Sequence, residues 1–117
     1  MKYFLLLLAV PSLLSENCGK KKKRSAFPAC VQQKIDSITK EPRWNPPAEV
    51  NEYSYKGKRV FLFSSNCCDF FDELVDENCN LICGPHGGIT GRGDGNCTDF
   101  DKEAQHIQLV WKDTREK

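Results

Sequence analysis

Apolar residues of this chain fall in short blocks whose period changes from one block to the next. Val31, Ile35 and Ile38 recur at i, i+4 and i+7, one face of a 3.6-residue period, and predict a helix over 28–41. Pro28 suits the first helical turn, where its missing N–H is not needed, and Pro42 ends the element. An extended connector follows over 42–47 and folds Trp44 onto the core. Tyr53 and Tyr55 alternate with polar residues over 51–55, the period of a strand with one wet face. Lys56-Gly57 supplies a turn that reaches positive φ. Residues 60–63 are continuously apolar, as in a central strand covered on both faces. A shorter hairpin runs from Leu74-Val75 through Asp76-Glu77-Asn78 to Leu81-Ile82. Residues 84–95 are glycine-rich without apolar periodicity, which predicts a loop. Ile107, Leu109 and Trp111 then alternate in a strand that closes the sheet. Together these elements predict an α+β fold: one N-terminal helix packed on a small antiparallel sheet of about four strands.

Ahead of the helix, Lys2 precedes an apolar stretch over 3–14, long enough for a signal core and too short to span a bilayer. The chain therefore divides into a signal segment over 1–17, a basic flexible linker over 18–27 and a single cysteine-rich α+β domain over 28–115. Cys18 offers a second version, as the lipid-modified first residue of a lipoprotein, although Ser15-Glu16-Asn17 is a poor match to the motif that lipidation needs. The five cations Lys20, Lys21, Lys22, Lys23 and Arg24 oppose translocation from where they stand. They also hide the character of the body. The whole chain carries +1, yet residues 25–117 hold 11 basic and 15 acidic side chains, a net of −4. No basic stripe enters that body, so nucleic acid is not an expected partner.

Seven cysteines in 117 residues fit an oxidising compartment and a core small enough to need covalent staples. The disulfide candidates are Cys30, Cys67, Cys68, Cys83, Cys97 and Cys79. The second hairpin returns Cys83 toward the adjacent Cys67 and Cys68, so one of that pair is expected to bond Cys83, with Cys30 or Cys97 taking the other. A rival set, Cys79, Cys83, His86 and Cys97, has zinc-ligand chemistry in a spacing unlike ribbons or fingers; no metal and no cofactor is expected. No nucleophile motif surrounds any cysteine, so no catalytic residue is expected either.

Arg92-Gly93-Asp94 lies in the glycine-rich loop and has the form of a cell-adhesion tripeptide. That role requires a guanidinium and a carboxylate splayed from a tight turn. Gly91, Gly93 and Gly95 equally fit a plain Gly-x-Gly-x-Gly turn. Asp94, Asn96, Thr98, Asp99 and Asp101 supply oxygens, but Asp99 stands where a calcium loop wants glycine and no Glu closes it.

Several phrases are familiar in combination: Pro28-Ala29-Cys30-Val31-Gln32-Gln33-Lys34-Ile35-Asp36, Trp44-Asn45-Pro46-Pro47-Ala48-Glu49-Val50, Cys67-Cys68-Asp69 and Asp76-Glu77-Asn78. They continue from Cys83 through Gly87-Gly88-Ile89-Thr90-Gly91 to Gly93-Asp94-Gly95-Asn96-Cys97. The set resembles an uncharacterised domain family of small exported or lipid-anchored, mostly bacterial, cysteine-containing proteins. The resemblance spans nearly the whole body and implies export and disulfides but no chemistry. Cys79 departs from it where glycine is expected, which makes Cys79 the extra thiol. The expected function is an exported, disulfide-stabilised binding or structural module without catalytic activity. It would be monomeric and secreted or periplasmic, act on an extracellular or cell-surface partner, and touch a membrane only through an N-terminal lipid. The alternatives are an adhesion ligand and an inhibitor of an extracellular hydrolase.

Overall fold

A computed structural model describes residues 27–67 and 69–116. The signal segment, Cys18, most of the basic linker and Cys68 lie outside the described residues. Helix α1 (Ala29–Thr39) is followed by strands β1 (Glu49–Tyr55), β2 (Lys58–Phe63), β3 (Glu73–Val75) and β4 (Leu81–Cys83). A one-turn helix α2 (Phe100–Glu103) then precedes β5 (Gln105–Lys112). The strands form one antiparallel sheet in the order β4-β3-β2-β1-β5. The fold is thus a small α+β domain with five strands rather than about four, and with a second short helix.

Helix α1 keeps the predicted face: Val31 and Ile35 are buried and Ile38 packs beside them. Its ends are tighter than the periodicity alone predicts. Pro28 stays extended as the N-cap, its carbonyl accepting from the N–H groups of Val31 and Gln32. Lys40 closes the helix two residues before Pro42, whose ring disfavours helical backbone in the residue ahead of it.

Strand β2 occupies the middle of the sheet and explains the whole layering. Phe61 and Phe63 face α1 with Val50 and Val75, while Val60 and Leu62 face Tyr55, Leu74 and Phe100. Burial on both faces is what an unbroken apolar run requires, and each such side chain contributes about 1.5–3 kcal/mol. The β1–β2 turn uses Lys56 and Gly57 at φ 50° and 75°, the left-handed pair of a two-residue hairpin. Tyr55 pairs with Lys58 across it.

Strand β5 departs from its sequence pattern. Val50 pairs with Trp111 but Asn51 with Leu109, and Glu52 pairs with Gln108 but Tyr53 with His106. Val110 and Ile107 are therefore extra residues at two bulges, and each reverses the alternation. Trp111 packs on the α1 side, whereas Leu109 and Ile107 stay about half exposed on this edge strand. A buried Glu52 on β1 ties the neighbours together, accepting from Arg59 of β2 at 2.8 Å and Gln108 of β5 at 3.3 Å.

Two disulfides join the layers. Cys30 of α1 bonds Cys79 in the β3–β4 turn, and Cys83 at the end of β4 bonds Cys97 ahead of α2. Both pairings correct the expected ones, in which Cys83 met Cys67 or Cys68. The chain does return along β3 and β4, but Cys83 points to the face carrying Cys97 and Phe100. Cys79 is no spare thiol: it holds the one position of its turn with φ 61°, the conformation that favours glycine, and reaches α1 from there. Cys67 is also disulfide-bonded. These bonds fit an oxidising environment. Among the described residues no helix is long and apolar enough to cross a membrane.

Candidate functional site

The glycine-rich segment over 84–95 forms a loop, as predicted, and its own backbone shapes it. Gly93 N–H donates to the carbonyl of Gly87 and Asp94 N–H to that of Gly84. The Asp94 carboxylate folds back on the loop, accepting from Gly84 N–H at 2.8 Å and Asn96 N–H at 2.9 Å. These bonds hold it ionised below the usual carboxylate range, the Asn96 amide contributing most and the Gly84 amide next. The Asp94 carboxylate that an adhesion receptor would need thus already accepts from two amides of its own loop.

The other oxygen ligands of this stretch also face separate protein groups. Asp99 accepts from the Tyr55 hydroxyl at 2.5 Å and pairs with Lys56 at 3.4 Å. The Tyr55 hydroxyl lowers the Asp99 pKa, and the carboxylate in turn raises that of Tyr55. Asp101 meets Nε2 of His86 at 2.5 Å, and Asp72 lies 3.6 Å from its Nδ1. The His86 ring stands edge-on to Phe100, the buried anchor of α2. Of the zinc set, Cys79, Cys83 and Cys97 are in disulfides, so His86 is left without thiolate companions.

A cleft of about 630 Å³ opens between α1, the 63–73 segment and the glycine loop. Its size falls in the range of roughly 300–1,000 Å³ typical of small-ligand sites. Phe63 and Ile38 line it from β2 and α1, Phe70 and Phe71 from the β2–β3 connection, and Trp44 and Leu81 from its rim. The loop holds one wall. His86 accepts and Gly88 donates along the 70–72 segment: Asp72 N–H bonds the His86 carbonyl and Gly88 N–H bonds that of Phe70. A Cβ on Gly88 would stand 2.4 Å from the Phe71 ring. Phe71 is thus clasped by the loop, while Phe70 remains 63 % exposed and Leu81 66 % exposed.

The charged groups among the cleft's described lining are mostly acidic. Glu41 accepts the Trp44 indole N–H at 2.9 Å, and Trp44, expected to fold onto the core, stands half-buried in the cleft's lining. Asp72 accepts from Ser65 N–H at 2.9 Å. Lys34, the one lining cation among the described residues, pairs with Glu73 at 3.0 Å and sits 4.9 Å from the centre of the Phe63 ring. None of this set emerges from sequence reasoning, although Phe70-Phe71 between Asp69 and Asp72 is its visible trace. An aromatic pair with no strand or helix period around it has no obvious core to enter.

Neither the curated proteins nor the solved structures gave a match to this chain. Residues 36–113 match a family described as a domain of unknown function, DUF6970, and that match spans β1 to β5 with the loop and most of the cleft. The chain belongs to the DUF6970 family.

Proposed function

We propose that this domain is a disulfide-stabilised binding module, without catalytic activity, that takes an apolar ligand group in the cleft beside α1. One observation carries the reading: exposed aromatic and aliphatic side chains converge on a single concavity of ligand size, held by a rigid loop and strand framework. Such convergence is the usual mark of a small-molecule site, whereas scattered exposed apolar residues need no explanation. The titratable groups favour binding over chemistry. All five described cysteines are disulfide-bonded, and both His86 nitrogens face carboxylates rather than a nucleophile. The disulfides also support work in an oxidising compartment outside the cytosol.

Phenylbutanol, a neutral apolar probe, tests the reading by titration followed in the amide NMR spectrum. Shift changes concentrated at Ser37, Ser64, Asn66 and Leu81 are expected. Phe70→Ala should weaken binding by about tenfold, the scale of one lost aromatic contact, with an unchanged urea midpoint because Phe70 is mostly exposed. Changes spread evenly over the surface, or an affinity indifferent to Phe70→Ala, would refute it.

A further inference from the structure

We infer that the cleft selects organic cations: small ligands with an apolar ring or short chain ending in an ammonium or guanidinium group. This rests on the proposed binding function and names its ligand class.

Among the described residues the cleft's lining carries Glu41, Asp72, Glu73 and Asp94 against the single cation Lys34, an excess of three negative charges among those side chains. That excess sits over aromatic surface. A cation above a ring face is drawn to the ring's negative quadrupole, and a nearby carboxylate adds a Coulomb term that is stronger beside low-dielectric apolar walls than in open water. Lys34 already shows the arrangement within the protein. Its ammonium lies 4.9 Å from the Phe63 ring centre and 3.0 Å from a Glu73 oxygen, between a ring and a carboxylate. Trp44 and Glu41 also bring a ring and an acid together, the indole N–H donating to the carboxylate at 2.9 Å. Phe71 and Asp72 line the same cleft, and among the described residues no lysine or arginine other than Lys34 lines it. A ligand ammonium drawn to these rings would meet carboxylates in the same lining, as the Lys34 ammonium meets Glu73 beside Phe63. A fatty acid or other anion would instead bring its head group against the carboxylates, and like charges disfavour such a complex.

Three probes of one shape separate the alternatives: phenylbutylammonium, phenylbutanol and phenylbutyrate, titrated against the full domain by amide NMR. The ammonium should bind about five- to tenfold more tightly than the alcohol, and phenylbutyrate most weakly, from one partly exposed ion pair with a cation–π contact. Glu41→Gln keeps an acceptor for the Trp44 indole but removes a charge. It should lower the ammonium-to-alcohol ratio by about threefold. Equal affinity for ammonium and alcohol, or tighter binding of phenylbutyrate, overturns cation selection while leaving the apolar site intact. Binding of none of the three at the cleft overturns both readings. A ratio unmoved by Glu41→Gln alone, and unmoved again when Asp72→Asn is added, places the preference elsewhere and also overturns the inference.

Discussion

Gly93 and Gly91 share a left-handed backbone, at φ 74° and 71°, but differ in their surroundings. A Cβ at Gly93 would stand 2.4 Å from the carbonyl oxygens of both Gly84 and Pro85, whereas one at Gly91 meets nothing within 4 Å. Gly91→Ala should therefore cost only the conformational penalty, about 1–2 kcal/mol. Gly93→Ala should cost clearly more, since the loop must move off Gly84 to admit the methyl. Urea unfolding of both variants checks this, and equal losses would count against the loop geometry. The repeated glycines are plain in the sequence, and so is their need for a turn. Which of them is crowded is not, because the crowding atoms come from Gly84 and Pro85 only after the loop has closed through Asp94.

At the level of elements, α1 is fastened at both ends. The Cys30–Cys79 bond holds its first turn over a sequence separation of 49. At the other end Arg115 donates to the carbonyls of Thr39 and Glu41 while pairing with the buried Asp113. Chain entropy assigns the longer disulfide about 4 kcal/mol and the 14-residue Cys83–Cys97 link about 3 kcal/mol. Cys30→Ala with Cys79→Gly should thus lose less than Cys30→Ala with Cys79→Ala, by about 1 kcal/mol, because glycine relieves the left-handed backbone that alanine retains. The difference in urea midpoints measures it, and a glycine variant no better than the alanine one contradicts the assigned turn. Helix α1 and strands β1 and β2 were legible because their apolar periods are local. Strand β5 was legible as a strand but not in its facing, since the bulges at Val110 and Ile107 exist only against β1. Helix α2 has one apolar anchor, Phe100, in a charged stretch too short for any period to form.

Across the whole molecule, several carboxylates act as internal fasteners and share one pH dependence. The pKa of Asp76 is lowered by the Asn80 and Asn78 amides, that of Asp94 by the Asn96 and Gly84 amides, and that of Asp113 by Arg115. Asp99 is lowered by the Tyr55 hydroxyl. Each titrates lower in the folded chain than in the unfolded one, where Asp ionises near pH ~3.9. The unfolded state therefore binds more protons in that range, so stability rises with pH there. The stabilisation is complete above about pH 4–5 and is lost as pH falls through the folded values. Urea midpoints should be level from pH ~7 to ~5 and then drop toward pH ~2.5. Asp94→Asn should start lower at neutral pH, with the gap to the parent protein narrowing in acid. A midpoint that stays flat into acid would remove these carboxylates as fasteners.

The two fastenings of α1 also order events during synthesis. Residues 29–39 leave the ribosome early, yet their covalent tie waits for Cys79 and their C-terminal cap for Arg115. Strand β1 likewise waits for β5 along one whole edge. Until Cys79 is made Cys30 lacks its native partner, and Cys67 precedes Cys79 in the chain. Correct pairing therefore depends on the hairpin of β3 and β4 delivering Cys79 to α1 late, so the yield of native bonds should be set by how long oxidation is delayed.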